Sequence, residues 1–453
     1  MSPFAGRAVS RRVLFQMAVI GICTGLVKLA SAAKVIFSAR AFGVSDNIDA
    51  YFIAFLVASF FGDTLAGSLN SALVPTFIQV REIEGRAAAQ RLYQNVMACA
   101  VVLLATVAVL LLASAQWTLR PFASSFSAPK FALTCSLFRV MLPMMPIAAL
   151  ATVWRSVLNS EQRFALPAMV PAATPVVSLL FLFRFAAAWG VYSLAIGTLV
   201  GAALEAALLA AMMLGRGFPI VPRWSGRAPA VDQVLAQYWP VVAGVVLLGG
   251  APLIDQSIAA MLGSGSVAAL QYGTRLTVVL LAVGPSAVAT AILPHFSTLI
   301  VTRDGSELWH SLRSYAAIIL AVTIPVIALL IAFSEPIVRL FFERGHFTGA
   351  ATEVVTSVQR YSLLQIPAAM VMALAVRLIS SLKANHLLFR AAVLFGALNL
   401  SLDLLLIRSM GISGIALSSA IVQLVTVIYL LVLMRNRLPA SLKPPPSREA
   451  VSR

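Results

Sequence analysis

Lys28, Lys34 and Arg275 stand inside stretches apolar enough to cross a bilayer, where a cation costs about 2.5–3.5 kcal/mol on insertion scales. Cations kept at that cost are suited to holding an anion, and their charge-assisted hydrogen bonds match the oxygens of a diphosphate. Lys28 and Lys34 are six positions apart, about 9 Å along a helix axis at 1.5 Å per residue. Arg275 follows Tyr272, Gly273 and Thr274 in the corresponding region of the second half. The three are predicted to face the interface of two lobes and to line a cationic cavity there. The competing reading has each snorkel to a head-group layer or pair with Asp49, Asp63 or Asp255. Arg139, Arg155, Arg360 and Arg377 also lie in or at the edges of apolar stretches. They are read as interfacial anchors or lobe-packing residues.

Acids are fewer. Asp63, Glu205, Asp255 and Asp403 fall within predicted spans and, with Asp49 near the start of the second, are candidates for ion coupling or charge pairing. Carboxylates suit Na⁺ or a proton. Asp255 is the leading candidate, a salt bridge to Arg275 being its alternative; Asp403 lies beside Asn399, a pairing that suits a cation. No P-loop, nucleophile elbow or HExxH zinc motif occurs, His295, His310, His346 and His386 are scattered, and Cys23, Cys99 and Cys135 have no metal-type spacing. The expectation is a protein that is not an enzyme, holds no cofactor or metal beyond possible Na⁺ or H⁺ coupling, and draws energy from an ion gradient, the membrane potential or the cargo gradient.

The elements that must position these side chains are membrane helices. Hydrophobic residues make up 60% and charged residues 11% of 453 positions, whereas a soluble chain is about 45–50% apolar and about 25% charged. A span needs about 20 apolar residues, and cutting the chain at its polar loops predicts twelve helices: 14–39, 50–79, 92–115, 132–158, 165–187, 190–214, 233–262, 267–299, 312–341, 354–381, 386–407 and 411–434. Arg7, Arg11 and Arg12, an apolar run and Ala30–Ser31–Ala32 imitate a secretory signal. Lys28 interrupts that run, so an uncleaved first helix is the better reading. The net charge of +17 sits mostly in short loops and reads as topology, not as a nucleic-acid surface. With both termini cytoplasmic, 19 Lys and Arg fall on the inner side and seven on the outer, as the positive-inside rule requires. Pro75, Pro146, Pro175, Pro240, Pro252, Pro285, Pro294 and Pro367 are expected to kink spans.

The chain also repeats itself. Ala72–Phe77 matches Ala291–Phe296 and Leu119–Phe122 matches Val338–Phe341 at an offset of 219; Arg139 matches Arg360, Pro146 matches Pro367 and Gly190–Ala195 matches Gly411–Ala416 at 221. The predicted organisation is an N-terminal lobe over 1–215, a cytoplasmic linker over 216–232, a C-terminal lobe over 233–436 and a disordered cytoplasmic tail over 437–453. Parallel repeats of this kind rock about a central site to give alternating access.

Ala39–Gly43, Asp49–Phe55, Leu73–Phe77, Ile254–Asp255, Gly263–Val267, Tyr272–Leu276 and Leu340–Phe347 resemble, in order, motifs of the MurJ/MviN lipid II flippases of the MOP exporter superfamily, over about residues 15–435. The resemblance implies an all-α polytopic protein, two six-helix lobes in a MATE-like V, that carries a polyprenyl-diphosphate-linked sugar for peptidoglycan synthesis across a bacterial inner membrane. It places Lys28, Lys34 and Arg275 where the family has cavity cations, with Lys at two positions where Arg is common. Gly62–Asp63 departs from a place where the family often has paired Arg, and the family's two additional C-terminal helices, thought to form a lipid-tail groove, have no counterpart in this twelve-helix form. Alternatives are a flippase for an exopolysaccharide or O-antigen repeat unit and, from another transport class, a cation-coupled drug or metabolite antiporter. The implied partners are the glycolipid and membrane lipids; the sequence leaves the oligomeric state open.

Overall fold

The computed structural model describes residues 3–161, 165–226, 229–282, 284–285, 305–381 and 384–437. They form helices joined by short turns, with no strand among them. Eleven helices or broken helices among the described residues are long and apolar enough to cross a membrane, and a shorter apolar helix runs over Ser266–Ala282. The remainder of the predicted eighth span, with Ala291–Phe296, and the tail beyond Arg437 lie outside the described residues.

Two compact units result, Met1–Ala268 with Gly345–Phe347, and Ala269–Arg344 with Thr348–Arg453. The first contains α1 (Pro3–Phe42), α2 (Asp46–Glu84), α3 (Arg86–Ala113), α4 (Ala115–Leu119), α5 (Ala128–Met141), α6 (Met144–Ser160), α7 (Ala165–Met169), α8 (Ala173–Trp189), α9 (Tyr192–Leu214), α10 (Pro229–Gly249) and α11 (Ala251–Ala260). The boundary falls within α12 (Ser266–Gly273). The second unit continues with α13 (Gly305–Ala332), α14 (Ser334–Phe342), α15 (Gly349–Leu363), α16 (Gln365–Ser381), α17 (Asn385–Met410) and α18 (Ile412–Arg437).

Within the first unit α2 is the hub, packed on α3, α5, α6 and α10. Its inward residues Ile48, Tyr51, Ile53, Val57, Leu69, Leu73 and Phe77 are buried. The helices α8 and α9 pair closely because Gly197 and Gly201 lie one turn apart on the facing side. A Cβ at Gly201 would stand 2.6 Å from the Cα of Thr174, and one at Gly197 2.8 Å from the Cβ of Phe181. Small residues four apart are how membrane helices bring backbones together without a hydrophobic drive. In the second unit Gly273 lies equally tightly against Val355 and Val358 of α15, and Ser362 donates to the carbonyl of Gly273 at 3.5 Å.

The internal repeat is visible in backbone geometry. Gly190 closes α8 at φ 52° and ψ −136°, and Gly411 closes α17 at φ 57° and ψ −137°. This region is essentially confined to glycine, so the same residue caps the same turn in both halves. The break between α5 and α6, at Leu142 and Pro143, recurs between α15 and α16 at Leu364. Pro146 and Pro367 therefore sit in first turns, where a missing N–H removes no hydrogen bond, and mark restarts, not the kinks expected of them. Pro75 and Pro240 lie within continuous helices. Pro252 opens α11 after an interruption at Gly250.

Candidate functional site

Lys34 and Lys28 project from α1 in the first unit. The Lys34 ammonium donates to the Tyr51 hydroxyl at 3.0 Å and stands 4.9 Å from the Phe55 ring centroid. The two rings stack at 5.9 Å, and the Tyr51 oxygen is itself within 3.2 Å of Thr198 Oγ1 on α9. Tyr51 is buried, so this support is rigid. It fixes the ammonium by a hydrogen bond and cation–π attraction while leaving its charge without a carboxylate among the described residues. A lysine has three donors, and Tyr51 takes one. Lys28 is half-buried and makes no hydrogen bond or ion pair among the described residues.

Arg155 of α6 is ion-paired with Glu205 of α9, whose second carboxylate oxygen accepts from Thr174 Oγ1 of α8 at 3.2 Å. The pairing gives Glu205 the charge-pairing option and suits Arg155 as a residue that packs helices within the unit. Asp63 of α2 lies in electrostatic range of Glu205, Arg155 and Lys28, is exposed, and forms no hydrogen bond or ion pair among the described residues.

Asp49 is wholly buried and its carboxylate is fully engaged. Oδ2 accepts from Lys130 Nζ at 2.8 Å and from the Gly265 N–H at 2.7 Å; Oδ1 accepts from the Ala268 N–H at 2.8 Å. Lys130, 5% exposed in its side chain, also reaches Asp46 at 2.6 Å. A carboxylate at the start of α12 meets the orphan N–H groups and positive dipole end of that helix. Of its two possible roles Asp49 therefore takes charge pairing, binding α2, α5 and α12 together. Sequence reasoning singled out no role for Lys130; Asp46 and Asp49, three apart on one helix face, were the available signal. The motif around Gly345 is likewise a docking element, since the His346 N–H donates to the Arg40 carbonyl at 3.0 Å. Asp255 is half-buried on α11.

In the second unit Arg275 follows a one-residue break in the helix at Thr274. Its Nε is buried without a hydrogen-bond partner among the described residues, and it forms no ion pair among them. The adjacent turn is tied down by Thr277 Oγ1 and Ser362 Oγ at 2.8 Å. Asn399 and Asp403 are both buried, 1% and 0% exposed, one turn apart on the same face of α17. Arg139 and Arg360 are exposed at repeat-related places, each eleven residues into its span.

The family model described as lipid II flippase MurJ matches residues 38–445. The chain belongs to the MurJ lipid II flippase family. Its similarity to a probable lipid II flippase MurJ of Rhizobium meliloti is 27% identity, covering 88% of this chain and 76% of that protein. The corresponding protein of Thermotoga maritima is 26% identical, with coverages of 91% and 82%. Among solved structures, MurJ in an inward closed conformation superposes with a TM-score of 0.80 at 22% identity, covering 92% of this chain and 87% of that one. An inward-facing MATE multidrug transporter of the MOP superfamily gives 0.78 at 14% identity, over 91% and 98%. At these identities the superpositions establish the fold: the MurJ architecture is an all-α, multi-pass membrane fold, shared with MATE transporters.

Proposed function

We propose that this chain is a flippase that moves a polyprenyl-diphosphate-linked sugar of the lipid II type across the bacterial inner membrane by alternating access, with both termini cytoplasmic. The observation that carries the reading is the set of unneutralised cations within the spans. Lys28 and Lys34 in the first unit and Arg275 in the second keep their charge without a carboxylate partner among the described residues, although an intramembrane cation is costly. Of the acids in the first unit, Glu205 holds Arg155 and Asp49 holds Lys130, while Asp63 lies in electrostatic range of Lys28 without forming an ion pair with it. Cations left over in this way suit a diphosphate, and the lysine fixed on Tyr51 is pre-organised to meet it. Arg275 supplies the planar fork that favours bidentate phosphate contacts, which the two lysines lack.

The energetics are adequate without nucleotide hydrolysis. A head group of charge about −2 driven outward by a potential of 100 mV, negative inside, gains about 4.6 kcal/mol. Asp403 with Asn399 is the pair chemically suited to couple a Na⁺ ion or proton; flipping indifferent both to the Na⁺ gradient and to Asp403→Asn would remove that coupling from the proposal. The test of the function itself is complementation of a conditional lipid II flippase mutant by the full chain. Rescue that is lost with Arg275→Ala or Lys28→Ala is the expected result. No rescue by the parent chain, expressed in the membrane, would exclude lipid II as its cargo.

A further inference from the structure

Lys28 and Asp63 present opposite, unpartnered charges at comparable depth in the first unit. Lys28 is 14 residues from the end of α1 and Asp63 is 17 from the start of α2, the ends that residues 43–45 join. These separations are about 21 and 26 Å at 1.5 Å per residue. The two interact electrostatically, yet they are not within the 4 Å of an ion pair. Neither is consumed by neighbours, because Arg155 and Thr174 are committed to Glu205. Asp63 is exposed as a residue, though protein stands close enough around its carboxylate to strip away part of its water.

From this juxtaposition we infer that Asp63 is a specificity-determining residue, which accepts hydrogen bonds from the sugar of the cargo and disfavours a bare polyprenyl diphosphate. The inference rests on the proposed function, naming which part of the glycolipid the first unit reads. An ionised carboxylate is acceptor-only, and sugar hydroxyl or amide groups adjoining the diphosphate at Lys28 supply the donors it lacks. A bare diphosphate offers none of these donors. As a terminal phosphate it also carries up to one further negative charge, since such groups lose a second proton near pH 6. The carboxylate thus opposes the unlinked lipid in two ways, by repulsion and by an unmet acceptor, which is how a site discriminates against a competitor it also attracts. A flippase with Lys28 and no such counterweight would favour the more highly charged, unlinked lipid.

The experiment is titration of the detergent-solubilised full chain with polyprenyl diphosphate and with polyprenyl diphosphate carrying a single hexose, at one fixed salt concentration, for the parent, Asp63→Asn, Asp63→Ser and Lys28→Gln. The parent is expected to prefer the sugar-linked lipid, and Asp63→Asn to reduce that preference about tenfold, the scale of one lost polar discrimination, chiefly by tightening the bare lipid. Asp63→Ser removes the same charge and serves if the Asn variant is not recovered folded. Lys28→Gln is expected to weaken both lipids together. A preference unchanged within about twofold in the Asp63 variants, with Lys28→Gln still weakening both lipids, overturns the role of Asp63 alone. Binding of neither lipid by the parent overturns the proposed function on which it rests.

Discussion

Replacing Lys130 by Met tests the buried charge cluster that ties α2, α5 and α12. Nζ of Lys130 makes two ion pairs, at 2.8 Å to Asp49 and 2.6 Å to Asp46. The side chain is 5% exposed against 0% for Asp49 and 51% for Asp46. Loss of the cation leaves Asp46 able to turn to water but strands the Asp49 charge. Removing one partner of a buried pair costs about 3–5 kcal/mol. Asp49 retains two N–H donors, from Gly265 and Ala268, and each hydrogen bond to a charged group is worth about 1.5–3 kcal/mol. The lower end of the range, about 3 kcal/mol, is therefore expected. At about 2–4 °C per kcal/mol for a unit of this size, the transition should fall by roughly 6–12 °C. Thermal unfolding of the purified protein, followed through tryptophan fluorescence, reads the shift directly. A double-mutant cycle with Asp49→Asn then isolates the pair, because the amide no longer needs the cation, and the double variant should lose less than the sum of the singles. A fall of under about 2 °C for Lys130→Met, less than 1 kcal/mol by the same conversion, or strict additivity in the cycle, would refute the clamp.

Gly190→Ala and Gly411→Ala should each cost about 1–3 kcal/mol from backbone strain, with nothing crowding either Cβ; unequal losses in thermal stability would count against a common cap. Gly201→Val should separate α8 from α9 and abolish accumulation of folded protein, since its side chain meets the Thr174 backbone at 2.6 Å; normal yield and melting would show that the close approach is dispensable. Tyr51→Phe removes the hydrogen bond at 3.0 Å to Lys34 but keeps the ring, so cargo affinity should fall by about fivefold, the equivalent of about 1 kcal/mol, with little loss of stability. A Kd unchanged in that variant would mean that the ammonium needs no positioning. Glu205→Gln leaves Arg155 without its counter-charge and should lower the melting temperature more than Arg155→Gln/Glu205→Gln does, as coupled partners behave in a cycle; equal losses would remove the pair from the list of supports.

How far the sequence reaches is clear from particular residues. The spans were legible because the apolar requirement of a bilayer is local and one-dimensional: 190–214 was expected and Tyr192–Leu214 is found, 411–434 was expected and Ile412–Arg437 is found. The duplication was legible too, since Gly190 and Gly411 are letters in register before they are matching dihedral angles. Which charges are spent was not legible. Arg155 and Glu205 are 50 residues apart, Lys130 and Asp49 81 apart, and nothing in either neighbourhood announces the partner. Pairing depends on which helix faces meet, and that is fixed by packing, by Gly197 and Gly201 admitting α8 and by α2 gathering its neighbours. The sequence by itself determined a membrane-embedded, duplicated, cationic chain, because composition, periodicity and repeat survive as patterns along the backbone. Only the tertiary structure decided that Asp49 and Glu205 are occupied by cations while Lys28, Lys34 and Asp63 are left without an ion pair among the described residues, since neutralisation of a charge is a property of distances across helices.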